Sequence, residues 1–236
     1  MLKVVTYNIH KAVGLDQRRD PDRILEVLKA LDADVVALQE ADRRLGARPS
    51  VLPLFLIAQE TEYQVAPVAV NQVSLGWHGN AVLVRRRAVL DTARIPLPGL
   101  EPRGAVRIRI ADDTGPINIF CAHLGLLRPW RQRQLAVLRD HIEDTGVARA
   151  LLLGDFNEWS PRRGVEVLED RMSVLQPGRS FHAARPMAAL DRIVHGADLL
   201  HRDSGVDRSA LARLASDHLP VWARFRIRPE ISYNLR

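Results

Sequence analysis

The sequence predicts an α+β fold, a four-layer α/β/β/α sandwich in which two packed mixed β-sheets are flanked by helices. Three observations predict it. A strand-helix-strand pattern near the N-terminus recurs once in the second half of the chain; half-exposed alternating strands lie between and after the two copies; and no low-complexity stretch, Ser/Gly linker or long charge run divides them. The 236 residues are therefore expected to form one domain over 1–236, although length alone allows one or two.

Leu2 to Tyr7 reads as a strand. Asp20-Pro21 then supplies an N-cap and a proline at the first helical position, with Ile24, Leu28 and Leu31 on one helical face. Asp34 to Gln39 is the next strand, and its continuously apolar middle, Val35 to Leu38, suits a strand covered on both faces. Gly79 to Arg85 and Val106 to Ile110 follow period two, separated by a proline-rich loop from Ile95 to Pro102. The second unit comprises Ile117 to Ala122, a helix over Arg128 to Asp144 with Leu135, Leu138 and Ile142 at helical spacing, and the buried strand Leu151 to Leu153. Leu190 to Val194 and Val221 to Arg228 close the chain as strands, the last sending Val221, Ala223, Phe225 and Ile227 to one face.

Composition narrows the function classes. With 47% apolar residues the chain has material for a sizeable core. Its single cysteine, Cys121, has no partner within the chain, and the N-terminus lacks a signal-peptide pattern, so a reducing cytoplasm is the expected location. The longest apolar run, Val51 to Ala58, is far short of the roughly 18 residues that span a bilayer. The 34 basic and 28 acidic residues leave a net charge of +6, and only Lys3, Lys11 and Lys29 are lysines. Arginine's planar fork suits phosphate, which raises the standing of anionic partners. No protein partner can be inferred.

The polar residues that close the apolar strands carry the chemistry. Tyr7-Asn8-Ile9-His10 and Gln39-Glu40 end the first pair; Cys121-Ala122-His123 and Gly154-Asp155-Phe156-Asn157 end the second, and 32 residues separate Asn8 from Glu40 just as they separate His123 from Asp155. Carboxyl ends of strands are where open sheets hold ligands on rigid backbone. One Asn, Glu or His at such a place is ordinarily a turn or surface residue, but these four endings occur together with Leu190-Asp191 and Ser216-Asp217-His218-Leu219-Pro220.

These motifs, with Gly79-Asn80-Ala81-Val82-Leu83 and Pro102-Arg103-Gly104-Ala105 in the same order, closely resemble the endonuclease/exonuclease/phosphatase superfamily over nearly the whole chain. The resemblance implies a metal-dependent phosphoesterase on a deoxyribonuclease I-like sandwich. It assigns Glu40, with Asn8 and Asp217, as hard oxygen ligands for Mg²⁺ or Mn²⁺. Asp191 and His218 match the family's acid-histidine pair, and Asp155 with Asn157 matches the groups that position or deprotonate the attacking water. His123, Arg103 and Asn80 are implied as donors to the substrate phosphate. Whether Asp155 or His218 is the base stays open at this level.

Trp77, Trp130 and Trp159 fall beside these motifs, where they could rim the site or simply cap the core edge. Arg128, Arg131, Arg133, Arg162 and Arg163 could form a basic collar or a solvated helix face. The favoured reading is a phosphodiesterase or phosphatase acting on a small phosphoester or lipid headgroup. A DNA- or RNA-cleaving nuclease is the alternative, and a binding module without chemistry ranks last because every polar group the reaction needs is present. Asn8-Ile9-His10 differs from the Asn-Gly start usual in abasic-site enzymes and resembles small bacterial-type hydrolases of the family. Specificity is expected in the loops Leu15 to Asp20, Ala41 to Ser50 and Arg171 to Met187.

Overall fold

A computed structural model describes residues 1–160 and 163–229. In chain order the elements are β1 (Leu2–Asn8), α1 (Pro21–Leu31), β2 (Val35–Gln39), α2 (Leu54–Glu60), β3 (Gln64–Val65), β4 (Ala81–Val84), β5 (Val89–Leu97), β6 (Arg103–Ile110) and β7 (Ile117–His123). There follow α3 (Arg128–Thr145), β8 (Ala150–Asp155), α4 (Glu166–Glu169), β9 (Ser173–Leu175), β10 (Asp191–His195), β11 (Leu199–Val206), α5 (Ala210–Ala215) and β12 (Val221–Ile227).

Two six-stranded mixed sheets result, ordered β11-β12-β1-β2-β4-β3 and β5-β6-β7-β8-β10-β9. They share one topology. In each, a central parallel pair joined by a crossover helix (β1 with β2, β7 with β8) is extended on both sides by antiparallel strands. Three separate apolar layers account for the four layers of the sandwich. Val5, Leu38 and Leu83 meet Ile24, Leu28 and Ile57 between the first sheet and its helices. Val4, Ala37, Ile108, Leu153 and Phe225 fill the space between the sheets. Phe120 and Leu152 meet Leu135, Leu138 and Leu168 on the other outer face. Successive residues of one strand thus feed different cores, which is why the central strands are apolar at every position. Each such fully buried aliphatic side chain contributes about 1.5–3 kcal/mol relative to an exposed one.

The expected capping at α1 is present: Asp20 accepts from the Arg23 N–H at 3.1 Å, and Pro21 opens the helix. The expected loop from Ile95 to Pro102 begins three residues too early. β5 continues through Pro96 to Leu97, a place for proline that the edge position of β5 allows.

The equal 32-residue spacing does not mark equivalent positions. His123 lies opposite Asp155, but Asn8 lies opposite Gln39. The first crossover is one residue shorter in register, so Gln39 is the counterpart of Asp155 and Glu40 falls one residue beyond the strand.

Candidate active site

The row of strands β7, β8 and β10 delivers the buried half of the site. His123 pairs with Asp155 across β7 and β8, and Asp155 pairs with Asp191 across β8 and β10. Gly154 is required by this close pairing, since a Cβ there would meet the Ala122 carbonyl oxygen at 1.9 Å. His218 enters from the turn before β12. Ser216 ties that turn to β1, accepting from the His218 N–H and donating its hydroxyl to the Asn8 carbonyl at 2.7 Å.

The side chains converge on one carboxylate. Asp155 Oδ2 accepts from Asn8 Nδ2 at 3.0 Å and faces His123 Nε2 at 3.4 Å and His218 Nε2 at 3.6 Å. Asp155 Oδ1 accepts from the Asn157 N–H at 2.9 Å, while Asn157 donates its own amide to the Leu124 carbonyl. Behind His218, Nδ1 is 2.8 Å from Asp191 Oδ2, which also takes the Ser180 hydroxyl at 2.5 Å. Asp191 is fully buried, so it fixes the tautomer and orientation of the ring.

The pKa values of the two histidines are displaced in opposite directions. Burial opposes the imidazolium of His218, but Asp191, Asp155 and Asp217 outweigh it and raise its pKa to about 10. Burial dominates at His123, where the cations of Arg103, His218 and Arg44 add to it against Asp155 and push the pKa down to about 3. At neutral pH His218 is a cationic donor and His123 a neutral one.

The first half supplies the open side. Glu40 stands in a left-handed conformation, φ 55°, which turns it out of β2, and its Oε2 receives the Lys11 ammonium. Burial disfavours its charge, but Lys11, Arg44 and His10 hold the carboxyl below its ordinary value. Asp217 Oδ1 is 3.9 Å from Nδ1 of His10, the residue next to Lys11. Asn8 presents Oδ1 to the His10 N–H and retains its second lone pair. This donor set fits a hard divalent cation: two carboxylates and an amide oxygen, one of the carboxylates already drawing a cation. Asp155, Asp191 and His218 also bring ligand-type atoms within 4.8 Å of one another. That group is internally hydrogen-bonded, with His218 Nδ1 committed to Asp191, which suits proton handling better than coordination.

Several expected residues sit elsewhere. Asn80 was expected to touch phosphate, yet it is fully buried, with its amide donated to the Gly104 carbonyl at 2.9 Å. It latches the two sheets. Arg103 reaches the cleft but is paired with Glu101 at 2.6 Å. Trp77 lies over Gly104, where a Cβ would come within 2.4 Å of the ring, so it is a packing residue. Trp130 stacks under Arg133, and only Trp159 is largely exposed, edge-on to Phe181, whose ring is 4.8 Å from that of His218. Of the arginines read as a basic collar or a solvated face, Arg131 does neither, being buried in an ion pair with Glu158 at 2.9 Å; Arg162 lies outside the described residues. Sequence reasoning missed Ser180 and Lys11, as well as Arg44, Arg48 and His78. Lys11 directly follows the first motif, and Ser180, Arg44 and Arg48 lie in loops singled out for specificity.

No helix among the described residues is long and apolar enough to cross a membrane. The profile of the Endonuclease/Exonuclease/phosphatase family matches residues 5–218. An uncharacterized Escherichia coli protein, YbhP, is 30% identical over 95% of this chain and 96% of its own length. Among solved structures, an endonuclease/exonuclease/phosphatase from Beutenbergia cavernae superimposes with TM-score 0.73 at 23% identity, over 96% of this chain and 72% of that one. A mannosyl-6-phosphatase from Bacteroides thetaiotaomicron gives TM-score 0.74 at 17% identity, over 96% and 100%.

Proposed function

The chain belongs to the endonuclease/exonuclease/phosphatase family, and from that premise we propose that it is a divalent-metal-dependent phosphoester hydrolase of phosphodiesterase or phosphatase type. The convergence of Asn8, His123 and His218 on the single carboxylate of Asp155 carries this reading. Asp155 takes the proton of the attacking water as the new O–P bond forms in line with the breaking P–O bond. Asp191 and Asp155 raise the pKa of His218 and favour its protonated ring, which suits it as a donor to the phosphoryl oxygen that gains charge. His123 donates from its neutral ring, and Asn8 and Asn157 hold Asp155 in place. Mg²⁺ or Mn²⁺ would be held by Glu40, Asn8 and Asp217, and it supplies neutralisation of phosphate charge. The leaving oxygen departs toward the open cleft, where solvent protonates it.

A compact substrate is favoured over duplex nucleic acid. The cleft beside Glu40 has a volume of only about 220 Å³, below the range of drug-sized ligand pockets. The free, fully buried Cys121 agrees with a reducing, cytoplasmic setting. The test is a screen of purified protein with Mg²⁺ or Mn²⁺ against bis-p-nitrophenyl phosphate, p-nitrophenyl phosphate, sphingomyelin, and supercoiled and single-stranded DNA. Hydrolysis of the small esters should stop with EDTA and with Asp155→Ala. Efficient DNA nicking that disappears in Asp155→Ala would establish the nuclease alternative, and metal-independent turnover would sink the metal assignment.

A further inference from the structure

The cleft beside Glu40 holds more positive charge than the reaction centre uses. Lys11, Arg44, Arg48, His78 and Arg103 line it together with Glu40 and His123, so it opens directly from the phosphate-handling groups. Its acids are spent. Glu40 receives Lys11, Glu101 is paired with Arg103, and Asp42 accepts from the backbone N–H groups of Leu75 and Gly76. Two guanidinium groups make no close ion pair, although Asp42 and Glu40 lie within electrostatic reach of them. Arg44 has no hydrogen-bonded or ion-pair partner among the described residues, and its charge is felt at Glu40, Glu101 and His123. Arg48 is held by a neutral acceptor, donating from Nη1 to His78 Nδ1 at 2.8 Å, which fixes the fork without cancelling its charge.

The backbone of the cleft supplies an independent observation. Lys11, Glu40, Arg48 and His78 all have left-handed φ values, of 56°, 55°, 52° and 50°. None is glycine, so each conformation is strained, and strain gathered around one cavity is a mark of a site whose geometry is held for a ligand. Two arginine forks free of any close ion pair on such a frame suit one chemistry, an oxyanion with several equatorial oxygens.

We propose that Arg44, Arg48 and His78 form a second phosphate subsite, and that the substrate is a small phosphoester carrying another phosphate on the same molecule. The substrate part rests on the hydrolase reading above; the anion site does not. Free phosphate shares this chemistry, so the experiment separates the two sources. Full-length protein freed of metal with EDTA is titrated calorimetrically with adenosine 5′-monophosphate, adenosine 3′,5′-bisphosphate and inorganic phosphate. The bisphosphate should bind about tenfold more tightly than the monophosphate, the worth of one charge-assisted bidentate contact. In Arg44→Ala/Arg48→Ala the ratio should fall to near one. Arg44 is exposed and anchors nothing, so Arg44→Gln, folded by its thermal melt, should lower the ratio if the double variant fails to fold. Equal affinities in the unaltered protein, or a preference that survives both substitutions, would overturn the subsite. Inorganic phosphate bound as tightly as the bisphosphate through the same arginines would overturn the substrate class. A preference that depends on both arginines in a protein that hydrolyses neither nucleotide with Mg²⁺ would uphold the subsite while the hydrolase reading fell.

Discussion

The two sheets have one topology and hold their polar ends in different surroundings. The ends of β7, β8 and β10, joined by His218 from the turn before β12 of the other sheet, bury their polar groups: the side chains of Asp155, Asp191, His123 and His218 are 2%, 0%, 7% and 6% exposed. Beside the ends of the first sheet, Glu40 and Asp217 are 14% and 23% exposed and reach water. Burial is what allows Asp191 to lift His218 and what keeps His123 neutral, because charges in a dry setting interact strongly. Exposure is what a hydrated cation needs, since Mg²⁺ retains several waters. On the proposed reading, the closed ends suit proton handling and the open ends suit holding a cation.

The sharpest way to break that comparison is to remove one carboxylate from each half. Asp155→Asn and Glu40→Gln are each expected to lower kcat/KM by about 10³-fold, within the range for removal of a positioned acid-base or charge-stabilising group. Their metal dependence should differ. Glu40→Gln should raise the Mg²⁺ concentration for half-maximal rate by at least tenfold, whereas Asp155→Asn should leave Mg²⁺ binding, followed by calorimetry, unchanged. An equal rise in both variants would show that the two halves share the metal.

A smaller effect is expected from Asp191→Asn, which keeps the shape of the pair and removes its charge. The turnover rate at pH 7 should fall by about 10²-fold, with the protein still folded. The pH profile gives a second reading. His218 has a folded pKa of about 10 against an ordinary 6.5, so its imidazolium and the associated stability are fully present below 6.5 and lost as pH rises through about 10. Without the Asp191 carboxylate that pKa falls, and the alkaline limb of the kcat profile should move to lower pH. An unmoved limb would show that His218 does not act as the cationic donor.

Much of this was legible in the sequence, and what was not has physical reasons. The central strands, α1 and α3 announce themselves because apolar runs and helical spacing are local properties. The polar endings at Asn8, Glu40, His123 and Asp155 stand out because a core strand has no use for them. The function of Asn80 was hidden: whether an amide faces a ligand or the Gly104 carbonyl depends on how β4 meets β6 across the sandwich, 24 residues away in sequence. Arg131 misled for a similar reason, since an arginine in a polar first helical turn gives no sign of the Glu158 that buries it. The short strands β3 and β9 lack the length to show a period at all.

The finest test concerns the one-residue difference between the crossovers. Gln39 occupies the position in the first sheet that Asp155 holds in the second, but its side chain turns inward. It accepts from the Thr6 hydroxyl at 3.2 Å and donates to the Ala37 carbonyl at 3.2 Å and to Cys121 Sγ at 3.4 Å, with no exposed surface. Gln39→Leu keeps the volume and leaves the Thr6 donor and the Cys121 acceptor unmatched, at a cost of about 1–3 kcal/mol. The urea midpoint should drop with an unchanged m-value, and kcat should stay within about twofold because no group at Asp155 is disturbed. Gln39→Glu asks more of the same place. A carboxyl ordinarily titrating near 4.3 would be forced to stay protonated beside Cys121, so its stability should be retained at acid pH and lost as pH rises above that value. If Gln39→Leu instead abolished turnover at undiminished stability, the position would be the functional twin of Asp155, and both halves of the sandwich would share one chemistry.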